Sequence, residues 1–410
     1  VPARAASLSP VPPSPRLFLP FPRRVLSLSR APRGVSRLLS GRGRLRRGRH
    51  GHGRAHHGAG PQHESTPEWP VDNPFMGFRT WQSCRMPQPP IPEELGRAFA
   101  ARTALGHGLS ARRLRAPDLA RPFHGARALV HPQDARQISD EHPADTRRRA
   151  ALQRAAEYAV VMASNQFFSH ETAALMWGVP LPNIRDLDPH VSSFGPVRHP
   201  RTRGVHGHET SHALCRVVRH PELGVAIADP ATTWAMLGSV LRDPYDLVAA
   251  GDAVVRIPRM PGGFDADLGE ALAPISALST AVAAGRRRGR PALREALPRL
   301  RTGASSRPES WCRLLIIDAG LPEPEIDVDV YTHTGMFIGC VDLAYPELKI
   351  AIEYEGDQHR TSPEQWQRDI DKHEQLGLAG WRVIRVSRAH VFGEAPVLVR
   401  RLRAVLATRG

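Results

Sequence analysis

Val341-Asp-Leu-Ala-Tyr-Pro-Glu-Leu-Lys-Ile-Ala-Ile-Glu-Tyr-Glu-Gly-Asp-Gln-His359 is the stretch on which the fold turns. Two apolar runs, Met336 to Ala344 and Leu348 to Tyr354, flank a Tyr-Pro-Glu turn and read as paired strands. Asp342 interrupts the first run. Glu353 and Glu355 lie two apart on the second, so they project from one face. Strands this apolar are usually buried. Carboxylates on such a strand repel one another and lose hydration unless a cation sits between them. Oxygen ligands of this kind suit Mg2+ or Mn2+. Gly356 lets the chain turn sharply, which brings His359 back towards the same end. A hard cation beside a histidine suits phosphodiester hydrolysis.

Working outward, Glu309 to Ala319 has helical periodicity with Cys312, Leu315, Ile316 and Ala319 inward, and Gly320 and Pro322 end it. Glu325 to Tyr331 reads as a strand. Pro363 to Leu378 reads as a helix with Trp366, Ile370 and Leu376 inward and Gly380 as its stop. Trp381 to Val386 is a further strand, and Ala395 to Ala407 a last helix. The order αβββαβα makes residues 306–410 an α/β module.

The 341–359 stretch, followed by Arg368-Asp-Ile-Asp-Lys372, Leu376 and Gly380-Trp-Arg-Val-Ile-Arg-Val386, resembles the nuclease domain related to very-short-patch-repair endonucleases, of the PD-(D/E)XK restriction-endonuclease-like fold. The resemblance covers about residues 306–408. It implies a Mg2+ (or Mn2+) site in which Asp342 is the motif aspartate and Glu353 the second acid. Glu309 matches an acid that many members carry on the first helix. Glu355 stands where the motif has its lysine. The repair-endonuclease branch also lacks that lysine and uses a nearby histidine, which makes His359 the candidate here. Asp369 and Lys372 are expected to support the site or contact backbone phosphate.

Upstream, Pro92 to Thr103 reads as a helix and Ala111 to Arg115 as a second, capped by Ser110. A strand–turn–strand signal follows around Gly125. Helix–turn–helix then wing is the winged-helix layout, and it would set Arg112, Arg113 and Arg115 towards DNA. Phe168-Ser-His-Glu-Thr-Ala-Ala-Leu-Met-Trp-Gly178 reads as a helix whose Ser169, His170 and Glu171 supply capping chemistry. Residues 190–230 alternate as short strands. Their histidines follow no known ligand spacing and are expected to be scattered on the surface. Residues 91–250 resemble, with less specific motifs, abortive-infection type IV antitoxins, which implies a DNA-binding role.

The 410 residues therefore divide into a low-complexity tail over 1–75, an α+β DNA-binding region over 91–285, a linker over 286–305 and the nuclease-like module over 306–410. The net charge of +16 carries little weight: residues 1–63 hold 13 arginines and no acid, which leaves +3 for the rest. That tail is expected to lack packing, with Met76 a candidate start. Four scattered cysteines fit a reducing compartment. No apolar run reaches the ~18 residues of a spanning helix, so a cytoplasmic protein without a membrane partner is expected. DNA is the expected partner; oligomeric state is not readable. Two functions follow from the sequence: a metal-dependent DNA endonuclease or nickase, or a non-catalytic DNA-binding regulator with the same fold.

Overall fold

The computed structural model describes residues 88–130, 143–182, 186–196, 198–263, 268–356 and 363–409. The 1–75 tail, with its expected lack of packing, and His359 lie outside these.

A three-stranded sheet comes first. Strand β1 (Ala98–Ala100) pairs antiparallel with β3 (Ala126–Leu129), which pairs with β2 (Leu119–Ala120). The expected helix over Pro92–Thr103 is instead a 3-10 turn at Glu93–Leu95, strand β1 and helix α1 (Ala101–Gly106). Phe99 and Ala100 are buried in the strand, so tertiary pairing outweighs the helical spacing. The second expected helix is a 3-10 turn, Arg113–Arg115.

Helix α2 (Pro143–Ala159) leads to a five-stranded sheet in the order β6-β5-β4-β8-β7. Its strands are β4 (Gln166–Phe168), β5 (His190–Phe194), β6 (His206–Thr210), β7 (Val217–Arg219) and β8 (Ala226–Ala228). Helix α3 (His170–Met176) sits between β4 and β5 in the chain and buries Ala173 and Ala174.

Helices α4 (Pro230–Leu237) and α5 (Pro244–Val255) each begin at an Asp cap followed by Pro: Asp229 accepts from the Thr232 N–H and Asp243 from the Tyr245 N–H. With α6 (Ile275–Ala283) they enclose Trp234, Leu237, Leu247 and Leu278. The stretch expected as a helix-bearing linker packs into this core. It holds helix α7 (Arg290–Ala296), and Leu293, Ala296 and Leu300 are buried in this same core beside Leu314. Two leucines and an alanine on one face offset the Arg- and Pro-rich composition around them.

The C-terminal module runs α8 (Arg307–Asp318), β9 (Glu325–Tyr331), β10 (Phe337–Tyr345), β11 (Ile350–Glu355), α9 (Pro363–Leu378), β12 (Arg382–Ser387), α10 (Arg388–Phe392) and α11 (Ala395–Arg409). The sheet order is β12-β11-β10-β9, with β11 and β12 parallel and the other pairs antiparallel. The order of elements is the expected one, with a short extra helix at α10. Leu343, Tyr345, Ile350 and Ile352 pack against Cys312 and Ile316 of α8 and Leu398 and Leu402 of α11. Val341, Ala344 and Ala351 pack with Leu376 of α9. Two apolar faces therefore enclose the sheet, and the acids of β10 and β11 must emerge near its edge or find partners. Among the described residues no helix is long and apolar enough to cross a membrane.

Candidate functional site

The strand registers bring the acids together. Leu343 faces Ile352 across β10 and β11, and Val341 faces Val328 across β10 and β9. One residue further in each register puts Asp342 opposite Glu353 and beside Asp327. Glu353 in turn faces Arg385 on β12. An acid row thus crosses three strands and ends at an arginine.

Each acid has a distinct partner. The Tyr354 N–H donates to Asp342 Oδ2 at 2.7 Å. Lys372, reaching in from α9, places its ammonium 2.7 Å from Glu353 Oε1 and 2.9 Å from Oε2, and donates at 2.6 Å to the Cys340 carbonyl. Both Glu353 oxygens therefore lie against one ammonium, with Oε1 the closer. Gly339 makes this reach possible, because a Cβ there would stand 3.1 Å from Lys372 Cε. The Arg259 guanidinium holds Asp327 at 2.5 Å and Asp329 at 2.8 Å.

Burial, reinforced by the Glu353 charge, raises the Asp342 pKa, against the pull of the Tyr354 N–H and Lys372. Glu353 is also raised by burial, with Lys372 the main opposing influence. Asp369, on α9 with Lys372, adds repulsion at Glu353. Glu309 is raised by burial and then by Asp342. Its oxygens are occupied by local bonds: the Ser305 N–H donates to Oε2 and the Ser306 hydroxyl to Oε1, both at 2.8 Å. Glu309 is therefore first a capping carboxylate of α8, close enough to Asp342 to feel its charge.

Two expectations need correction. Glu355 does not join a three-acid cation site: it is paired through both oxygens with Arg385, which neutralises it. Among the described residues, no three of the expected acids bring ligand oxygens within 4.8 Å of one another. Arg113 is the other correction. It is 4% exposed, forks onto Asp118 at 2.9 and 2.7 Å and donates to the Pro89 carbonyl, so it is an internal tie rather than a phosphate contact. Arg112 and Arg115 are exposed.

Two histidines expected on the surface, His190 and His208, are gathered with His170, which was expected only to serve a helix cap. His170, His190 and His208 bring one ring nitrogen each within 4.8 Å of one another. They come from α3, β5 and β6, so no local spacing announces them.

Replacing Asp342 by Asn tests the acid pair. An acid with a raised folded pKa favours its protonated form, so its stability contribution is full below the ordinary carboxylate range, about pH 4, and is lost as pH rises towards neutrality. Asn mimics the protonated form. Asp342→Asn is expected to melt higher than wild type at pH 7 without metal, with a flatter pH dependence. Wild type should gain stability with Mg2+ by mass action, and the variant should not. Equal gains would remove Asp342 from the ligand set.

A 133-residue stretch of the chain is 36% identical to uncharacterized proteins from two strains of Mycobacterium tuberculosis. The match covers 32% of this chain and 49% of each relative, so the chain spans about half the length of the relatives it matches. No family profile matches the chain, and no solved structure does.

Proposed function

We propose that the chain is a metal-dependent DNA endonuclease or nickase of the restriction-endonuclease-like class. The carrying observation is the Asp342–Glu353 pair on adjacent strands, two part-buried acids that both have raised pKa values, with Lys372 on Glu353. Two carboxylates held side by side are hard oxygen donors of the kind that suits Mg2+ or Mn2+. Asp342 and Glu353 would hold the ion. When bound, it would supply positive charge to the scissile phosphate and acidify water.

Other residues do the rest. Lys372 offsets negative charge beside the acids and supplies, from α9, the ammonium absent at position 355. Its identity is informative, because the chain has only two lysines among its 56 cationic residues. A compact ammonium fits between a carboxylate and a carbonyl where a guanidinium fork would not. Arg385 withdraws Glu355 from competition with phosphate.

In the first region the β2–β3 hairpin matches the wing that a winged-helix reading needs, whereas the expected recognition helix is a 3-10 turn whose Arg113 faces inward, so DNA contact there would fall to the exposed Arg112 and Arg115. Beside it, Arg121, Arg127, Arg154 and Arg203 line an open cleft of about 710 Å3. Arg154 is paired with Asp188 and Arg127 donates to the Leu114 and Ala126 carbonyls, so Arg121 and Arg203 are the guanidiniums proposed to meet DNA backbone phosphates, which position a duplex without reading its sequence.

A second reading, a DNA-binding regulator, is favoured by the same ammonium. Lys372 already compensates Glu353, so the acids persist without a metal.

Nicking of supercoiled plasmid separates the two. Wild type is expected to relax plasmid with Mg2+ or Mn2+ and not with EDTA. Asp342→Ala should cut about 10²–10³-fold more slowly, the scale of losing one preorganised electrostatic group, while still retarding DNA in a gel. Retardation without cutting in any metal would establish the regulator instead.

A further inference from the structure

The histidine cluster lies in the five-stranded sheet, apart from the acid pair. His190 Nδ1 is 3.0 Å from His208 Nε2. The His170 and His208 rings stack with centroids 4.0 Å apart. The three side chains are part-buried rather than free on the surface. Neighbouring strands set the spacing: His190 faces His206 across β5 and β6, and His208 faces Ser192.

The surroundings orient these rings as a metal site requires. Glu171 Oε2 lies 2.9 Å from His190 Nε2. A carboxylate accepting that N–H makes Nδ1 an acceptor, which in the metal-free chain takes the His208 Nε2–H and would face a metal once that proton is lost. A carboxylate on the far nitrogen is the usual means by which a metal-binding imidazole is fixed in tautomer and direction. Ser169 shows a related departure from helix chemistry. It occupies the N-cap of α3, yet its hydroxyl makes no capping bond. It accepts from the Ser192 hydroxyl at 2.7 Å and lies 3.0 Å from His170 Nδ1. His170 itself is held at φ +47°, a strained conformation for a residue with a side chain. The Ser-His-Glu sequence, expected to cap a helix, is spent on orienting imidazoles.

We infer that His170, His190 and His208 hold one transition-metal ion of the Zn2+ class, with Glu171 fixing His190 from behind. Three imidazoles select Zn2+, Co2+, Ni2+ or Cu2+ over Mg2+. Tetrahedral Zn2+ with bonds of 2.0–2.1 Å needs ligand nitrogens about 3.3 Å apart. The 3.0 Å pair lies just inside that spacing, and the His170 ring nitrogen lies within 4.8 Å of both. The ion would tie α3 to β5 and β6 and leave a fourth position open. The inference stands independently of the nuclease reading.

The test uses the full chain, stripped with chelator, loaded with Zn2+ and gel-filtered before metal analysis. The chain carries further histidines at His50, His52, His56 and His57, so variants are compared with wild type in the same chain. Wild type should retain one more equivalent than His190→Gln or His208→Gln. His212→Gln, whose ring stacks on Phe194 at 3.7 Å, should retain as much as wild type, and so should Asp342→Asn. Co2+ should give strong visible bands of a four-coordinate ion in wild type and lose them in His208→Gln. Glu171→Gln, which keeps all three ligands, should weaken Zn2+ binding about 10–100-fold. Equal metal content and equal Co2+ spectra in wild type and both histidine variants would overturn the assignment. Loss of the extra equivalent in Asp342→Asn would do so too, by moving the ion to the acids.

Discussion

Lys372→Met is expected to slow cleavage about 10²–10³-fold while increasing the stabilisation that Mg2+ confers. The two effects have opposite signs because the ammonium has two roles. It lies within 2.9 Å of both Glu353 oxygens, so it competes with any divalent ion for that carboxylate. Removing it frees Glu353 for metal and widens the melting shift between EDTA and Mg2+. It also removes the positive charge nearest the acids, on which the proposed phosphate chemistry depends. Without metal the variant should be less stable at neutral pH. Glu353, already raised by burial, loses its main counterweight, and its stability contribution is lost as pH rises above the ordinary carboxylate range. Lys372→Arg is not a conservative control, because a planar fork does not reproduce the point contact that one ammonium makes with Glu353 and the Cys340 carbonyl. Plasmid nicking paired with melting curves reads both effects. A variant that loses activity and metal response together would make Lys372 a prop for the fold.

The acid pair was legible in the sequence because β-strand periodicity is local. Asp342 in an apolar run and Glu353 two residues before Glu355 announce a polar face wherever the strands pair. Of their partners, Lys372 was expected at the site from the resemblance. Arg385 was not, because only the parallel pairing of β11 with β12 sets it opposite Glu353. Asp327 had a signal: Glu325-Ile-Asp-Val-Asp329 repeats the alternation of acids seen around Glu353. Arg113 shows the converse failure, since buried and phosphate-facing arginines look alike in sequence. Asp118, five residues on, was the available clue. The supposed linker also carried a signal, Leu293, Ala296 and Leu300 at helical spacing, hidden by the charged residues around them. The metal-type histidines had none, because α3, β5 and β6 each contribute one.

Arg313→Leu is expected to destabilise the chain by about 3–5 kcal/mol, the usual cost of leaving one member of a buried ion pair uncompensated. Arg313 on α8 is fully buried, and Asp252 on α5 is 1% exposed. The guanidinium donates to Asp252 at 3.2 Å, to Glu323 at 2.9 Å and to the Arg299 carbonyl at 2.8 Å. Asp252 also accepts from the Arg301 N–H and the Ser310 hydroxyl, each at 2.7 Å. One network therefore joins α5, the segment after α7 and α8, across what composition divides into region, linker and module. Leucine fills much of the space but leaves a buried carboxylate with two neutral donors and no cation. Burial already raises Asp252, and removing Arg313 takes away the strongest opposing influence. The variant's stability should therefore be highest at low pH, where Asp252 is protonated, and fall as pH rises, more steeply than in wild type. Adding Asp252→Asn should recover a large part of the loss at pH 7, because no buried charge then remains. Urea unfolding followed by fluorescence of the nearby Trp234 and Trp311 measures all three variants. A loss below about 1 kcal/mol, the range of an exposed ion pair, would mean that water reaches Asp252 and that α5 and α8 separate more easily than their packing implies.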